Sequence, residues 1–186
     1  MERLDGKKII ITGGASGMGR TTVENFPALG AKVVFFDVND KDGEEVEKIS
    51  GAKYIHVDVS DEKSVQDGFK AAVEYLGGLD VLIHAAAIAP RTPSEYCTFE
   101  QWRKVFSINA DGTYLTNMEA FKYMKDQGYG NIVNFTSASA FIVSPWQPCY
   151  GASKGAVTSW SRGLAKCLMP YNNRVNMIAP NIWTPL

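Results

Sequence analysis

The apolar residues of this chain fall into short dense runs separated by longer stretches of mixed polarity. Runs rich in β-branched and aromatic residues recur at 8–12, 32–37, 53–57, 80–84, 131–136 and 174–179. Each is too short for a helix and too continuously apolar to keep one face in water, which predicts strands buried on both sides. The segments between them have helix length. Across 101–124, Trp102, Val105, Phe106, Tyr114, Leu115, Met118 and Phe121 recur near helical spacing, and Val157, Trp160, Leu164 and Leu168 make a second stripe. Both stripes predict core or subunit-contact faces. The alternation predicts an α/β fold, a doubly wound parallel sheet with helices on both faces and three layers in all. Pro27, shortly before the stop signal Gly30, predicts a slight bend in the last turn of the first helix. No repeat or linker divides the chain, so residues 1–186 read as a single domain. After a sixth strand near 175–178 only residues 179–186 remain, too few to cover that edge of the sheet, and the chain is expected to be truncated at its C-terminus.

Composition narrows the possible partners. Of 186 residues, 45% are hydrophobic and 21% charged, an ordinary globular balance able to bury one substantial core. A formal net charge of −1 gives no general pull towards polyanions, and no basic cluster interleaved with aromatics adds one, so nucleic acid and membrane partners are not expected. No apolar stretch approaches membrane-spanning length and the first residues lack signal character, which predicts a soluble cytoplasmic protein. Cys97, Cys149 and Cys167 are odd in number and include no Cys-x-x-Cys pair. They predict reduced thiols, with Cys149 a buried inert one, and no metal site is expected.

The chemistry begins at Thr12-Gly13-Gly14-Ala15-Ser16-Gly17-Met18-Gly19, directly after the first run. Glycine accepts positive φ and has no Cβ to hold a ligand off, so a strand-to-helix turn of this kind exposes N–H groups where a phosphate is favoured. Gly13, Ser16, Gly17, Met18 and Gly19 are therefore candidate nucleotide contacts, against the competing reading of a turn that only packs a helix on a sheet. Asp37 closes the second run, 20 residues beyond Gly17, where a dinucleotide unit places an acid for the ribose hydroxyls. A carboxylate there repels a 2′-phosphate, and no Lys or Arg occupies 14–18 or 38–40 to compensate, so NAD is expected rather than NADP.

Tyr150 and Lys154 stand four residues apart at the start of a predicted helix, on one face. At ~4 Å and an effective dielectric near 20, an ammonium and a phenolate attract by about 4 kcal/mol, enough to help a phenol exchange a proton with an alcohol or carbonyl oxygen. An exposed helical pair is the alternative. Ser137 lies just beyond the fifth run, at the sheet edge where open α/β folds bind ligands. With the TGGASGMG turn, Asp37, Asp58-Val59, Asn109, Ser137 thirteen residues before Tyr150 and the YGASK segment, the chain resembles the classical short-chain dehydrogenase/reductase family from about Lys7 to Leu186.

That resemblance implies a Rossmann fold and an NAD-dependent oxidoreductase that interconverts a secondary alcohol and a ketone by hydride transfer. It makes Tyr150 the general acid/base, Lys154 its cationic partner and a ribose contact, Ser137 the group that orients the carbonyl, and Asn109 the holder of a relay water. On residue grounds alone, Asn109 with Asp111 and Gly112 equally fits a helix interruption, and Ser137 a turn hydroxyl, with Thr136 and Ser139 as rivals. Asp58 and Val59 become adenine contacts, although a strand-end cap and a core valine fit them on residue grounds alone. Three departures stand out. His84-Ala85-Ala86-Ala87 replaces the usual Asn-Asn-Ala-Gly, so Ala85 and Ala86 line an altered cofactor pocket. Pro180-Asn181 replaces Pro-Gly, with the cofactor contact Thr184 one residue early. The last strand and substrate lid are absent. These departures keep a second reading open, an NAD-binding protein of this fold acting in binding or assembly with weak or no turnover. His56 and His84 read as core histidines. Phe141, Ile142, Trp146 and Pro148, with Trp183, suggest an apolar pocket for a cyclic or steroid-like substrate, or else core packing. Arg91 reads as a solvated loop arginine or a carboxylate contact. A homodimer or homotetramer is implied through the helices around 101–124 and 150–168.

Overall fold

The computed structural model describes residues 3–142 and 145–180. Six parallel strands, β1 Lys8–Thr12, β2 Lys32–Asp37, β3 Lys53–His56, β4 Val81–His84, β5 Gly130–Phe135 and β6 Asn173–Ile178, form one sheet in the order β3-β2-β1-β4-β5-β6. The helices are α1 Gly17–Asn25, α2 Asp40–Ser50, α3 Glu62–Leu76, α4 Phe99–Phe106, α5 Gly112–Gln127 and α6 Pro148–Leu168.

Successive side chains of each strand point to opposite layers. Ile10, Val34, Phe36, Leu82 and Ile132 meet Phe69 and Leu76 of α3, Ala120 and Met124 of α5, and Leu164 and Leu168 of α6. Ile9, Ile11, Val33, Phe35 and Ile83 meet Val23 of α1 and Val46 of α2 on the other face. Fully burying a side chain of this size stabilises by about 1.5–3 kcal/mol, so the continuous apolar runs fix a sheet covered on both sides.

Strand order reverses between β1 and β4, whose ends stand side by side with Thr12 opposite both Phe36 and His84. Open α/β sheets form their ligand crevice at such a switch point. Pro27 does not bend α1. The helix stops at Asn25, and Pro27 opens a separate 3₁₀ turn, Pro27–Leu29, that ends on Gly30 at φ 94°. The 101–124 segment is likewise two helices, joined by a π turn at Ser107–Asp111. His56 is not in the core: β3 is an edge strand, and His56 Nδ1 lies 2.7 Å from Asp40 Oδ1 at the surface.

Candidate active site

The glycine turn and the sheet edge enclose a cleft of about 840 Å³. Gly13 shapes it by close packing: its φ is +67°, and a Cβ there would stand 2.7 Å from the Ala86 backbone, so the β1–α1 turn and the segment after β4 touch only if the residue is glycine. Gly13, Ser16, Gly17, Met18 and Gly19 all line the cleft. The first turn of α1 carries no acidic side chain, and its cap Ser16 makes no side-chain bond to the helix. Its leading N–H groups thus face the cleft with their donor capacity intact, which fits an anionic ligand such as a pyrophosphate.

Asp37 stands at the same end. Its Oδ2 accepts from Ala15 N of the turn at 3.0 Å, while Oδ1 accepts from Val38 N and Asn39 N at 2.9 and 3.1 Å. Three backbone donors hold the carboxylate in one orientation at the rim. Asp58 and Val59 line the cleft too. Asp58 caps its own turn through Ser60 N and Ser60 Oγ, at 2.9 and 2.7 Å, so the strand-end cap and the cleft position coexist. Val59 is buried against Gly112, where a Cβ would approach it to 2.9 Å.

At the other end, Ser137, Tyr150 and Lys154 share the cleft with Ala85, Ala86 and Pro180. Ser137 follows β5 and accepts from Ser139 N at 3.1 Å, which opens the turn at 138–140 and fixes the hydroxyl at the sheet edge. Lys154 is buried, donates to Phe135 O at 2.7 Å and stands 5.8 Å from the centre of the Tyr150 ring. Its main partner is therefore a strand carbonyl, with the phenol ring beside it. Burial pulls the ammonium down to a pKa of about 8, leaving it mostly charged at neutral pH.

Asn109 does not line the cleft. Its side chain is buried one layer behind, where Oδ1 accepts from Ile88 N at 2.9 Å and Nδ2 donates to Ile88 O at 2.9 Å and to Ser153 Oγ at 3.0 Å. These bonds hold the cleft wall at Ile88 against α6, and the π turn carries Asn109 to that position. Thr184 and Trp183, together with Asn181, lie outside the described residues. Phe141, Ile142 and Trp146 do not line the cleft and are about two-thirds exposed.

Sequence reasoning missed Gln147, which lines the cleft one helical turn before Tyr150 and donates to Ala89 O at 3.4 Å. The spacing Gln147 to Tyr150 was its available signal. It also missed the pairing of the cysteines: Cys97 and Cys149 form a disulfide and are not free thiols. They are 52 residues apart, and only the path of the loop after β4 across the first turn of α6 brings them together. Among the described residues, no group of three or more His, Cys, Asp and Glu is placed to hold a metal ion, and no helix is long and apolar enough to cross a membrane.

Residues 7–184 match the family described as short chain dehydrogenase. The chain belongs to that family. Among its relatives, the NADP-dependent (R)-specific alcohol dehydrogenase of Lentilactobacillus kefiri is 35% identical over all of this chain and 77% of its own length. The 3-alpha-(or 20-beta)-hydroxysteroid dehydrogenase of Mycobacterium tuberculosis is also 35% identical, over 97% of this chain and 70% of its own. A solved short chain dehydrogenase from Mycobacterium smegmatis, 26% identical, superposes with a TM-score of 0.93 over 99% of this chain and 81% of its own. This short-chain dehydrogenase thus has the six-stranded parallel core of its solved relatives, with Ala85, Ala86 and Ala87 lining the cleft.

Proposed function

We propose that this protein is a cytoplasmic, NAD-dependent oxidoreductase that interconverts a secondary alcohol and a ketone, with residues 1–186 acting as one dinucleotide-binding and catalytic domain. The observation that carries the reading is the convergence of Ser137, Tyr150 and Lys154 on the cleft that also holds the glycine turn and Asp37. The Lentilactobacillus and Mycobacterium relatives, an alcohol and a hydroxysteroid dehydrogenase by name, support the same reaction class.

A bound nicotinamide would supply or accept the hydride. Gly13, Ser16, Gly17, Met18 and Gly19 would receive the pyrophosphate, Asp37 the adenosine ribose, and Asp58 and Val59 the adenine. Ala85, Ala86, Pro180 and Thr184 would complete the nicotinamide end, and Lys154 would also meet the nicotinamide ribose. Tyr150 gives its hydroxyl proton to the carbonyl oxygen, and Ser137 Oγ donates a hydrogen bond to that oxygen. Lys154 places positive charge beside the phenol while its oxygen gains negative charge. Asn109 positions Ile88 and α6 in this reading and would also hold a relay water. Exposed Trp102 on α4 and Tyr114 on α5 support a homodimer or homotetramer.

The assignment of NAD rests on Asp37. Its carboxylate is fixed by three amides, and the only cationic side chains lining the described cleft, Arg91 and Lys154, belong to the loop after β4 and to α6. A 2′-phosphate would meet negative charge at that rim. Fluorescence titration should show NADH binding at least about tenfold more tightly than NADPH, a difference of ~1.4 kcal/mol. Tighter NADPH binding, in line with the Lentilactobacillus relative, would refute the assignment.

A further inference from the structure

We infer that Cys97 and Cys149 form a reversible redox clasp across the substrate side of the cleft. The two cysteines sit on the two segments that face each other there. Cys149 is in the first turn of α6, directly before Tyr150, and Cys97 ends the 3₁₀ turn Ser94–Tyr96, directly before Thr98, the side-chain cap of α4. The loop between β4 and α4 contributes Ala87, Ile88, Ala89 and Arg91 to the cleft. It is held at Ile88 by Asn109, at Thr92 by Gln101 (2.7 Å) and at Ala89 by the long bond from Gln147. Between Thr92 and α4, the Cys97–Cys149 pair is the tie that reaches α6.

The pair has the asymmetry that thiol exchange requires. Cys149 is 7% exposed, whereas Cys97 is only partly buried and can meet a small oxidant. With a low-molecular-weight disulfide such as glutathione disulfide, the Cys97 thiolate attacks one sulfur and releases one glutathione thiolate. The Cys149 thiolate then attacks the Cys97 sulfur of the mixed disulfide and releases the second. The two cysteine thiols lose two electrons and two protons. The small disulfide gains both electrons and leaves as two thiols.

The structure shows the closed form, with the Cα atoms of Cys97 and Cys149 7.6 Å apart. Bonded, the pair ties the 94–97 turn to the first turn of α6. It thereby restrains the loop that carries Ala87, Ile88, Ala89 and Arg91 along the substrate end of the cleft. The adenosine end, built by the β1–α1 turn and the end of β2, is remote from the clasp in the fold and stays unchanged. The rate effect rests on the proposed function; the closure itself does not.

The test equilibrates the protein in graded ratios of reduced to oxidised glutathione. Thiol alkylation with intact-mass measurement should show two of the three cysteines becoming unreactive together, with a mass loss of two hydrogens and no retained glutathione. Amide deuterium uptake in residues 86–98 should slow severalfold on oxidation, ketone reduction should fall at least about fivefold, and dithiothreitol should restore both. NADH affinity should stay within about twofold. Cys97→Ser should be insensitive to the ratio while keeping the reduced protein's rate, and Cys167→Ser should respond as the wild type does. A stable mixed disulfide, unchanged uptake in 86–98 on oxidation, or a Cys97→Ser protein that still responds overturns the clasp. Absence of ketone turnover in the reduced protein counts against the proposed function, and the uptake measurement then decides the clasp by itself.

Discussion

Tyr150→Phe should lower kcat for ketone reduction by about 10²–10⁴-fold, the range that a positioned proton donor contributes, while changing the NADH dissociation constant by no more than about twofold. The split follows from the geometry. Tyr150 lies at the Ser137 end of the cleft, whereas the groups assigned to the pyrophosphate and adenosine lie on the β1–α1 turn and at the ends of β2 and β3. Removing one hydroxyl leaves the ring beside Lys154 and leaves the lysine on Phe135 O, so the fold and the nucleotide site persist. Single-turnover kinetics paired with fluorescence titration measures both quantities. A parallel loss of NADH binding would mean that Tyr150 acts in holding the cofactor pocket rather than in moving a proton.

His84 should make the protein acid-labile well above the range where carboxylates titrate. It is almost fully buried, with Nδ1 3.0 Å from Thr12 Oγ1 and 2.9 Å from Thr116 Oγ1, and its Nε2 has no hydrogen-bond partner among the described residues. Burial first, and then the charge of Lys154, pushes its pKa down from 6.5 to about 3. Because the folded value is below the unfolded one, the unfolded chain takes up a proton that the folded chain refuses. Stability from this group is intact above about pH 6.5 and is lost progressively as pH falls towards 3, by roughly 5 kcal/mol in all. Between pH 7 and pH 5 the loss is about 2 kcal/mol. Urea unfolding at those two pH values should show His84→Asn losing about 2 kcal/mol less than the wild type. Equal losses would show that His84 reaches an acceptor or solvent when protonated.

The sheet was legible because its determinants are local. Dense β-branched runs such as Lys8–Thr12 and Lys32–Asp37 need both faces covered, and alternating helices leave a parallel arrangement as the one that does so. The nucleotide end was legible for a related reason: positive φ at Gly13 and Gly17 and a rim acid at Asp37 are requirements that one residue type meets. Non-local features did not show. A π turn adds a residue without breaking the apolar stripe, so the stripe across 101–124 did not show where the two helices join, although Asn109, Asp111 and Gly112 allowed an interruption there. Cys97 and Cys149 share no spacing signal, since their meeting depends on how a loop crosses α6. His56 looked like His84 because strand position alone does not reveal that β3 is an edge. Phe141, Ile142 and Trp146 sit between Ser137 and Tyr150 in sequence, yet all three are exposed and off the cleft, so the apolar substrate pocket expected from them is not built by these residues.

Incubation with NADH deuterated at the transferable C4 position and a panel of cyclic and acyclic ketones asks whether one cleft holds a nicotinamide and moves hydride to a ketone with Tyr150 as the proton donor. The alcohol formed by the wild type should carry one deuterium on its carbinol carbon, and labelling should be at least about a hundredfold slower with Tyr150→Phe. NADH binding without deuterium in any product, or equal labelling by the variant, would contradict this mechanism.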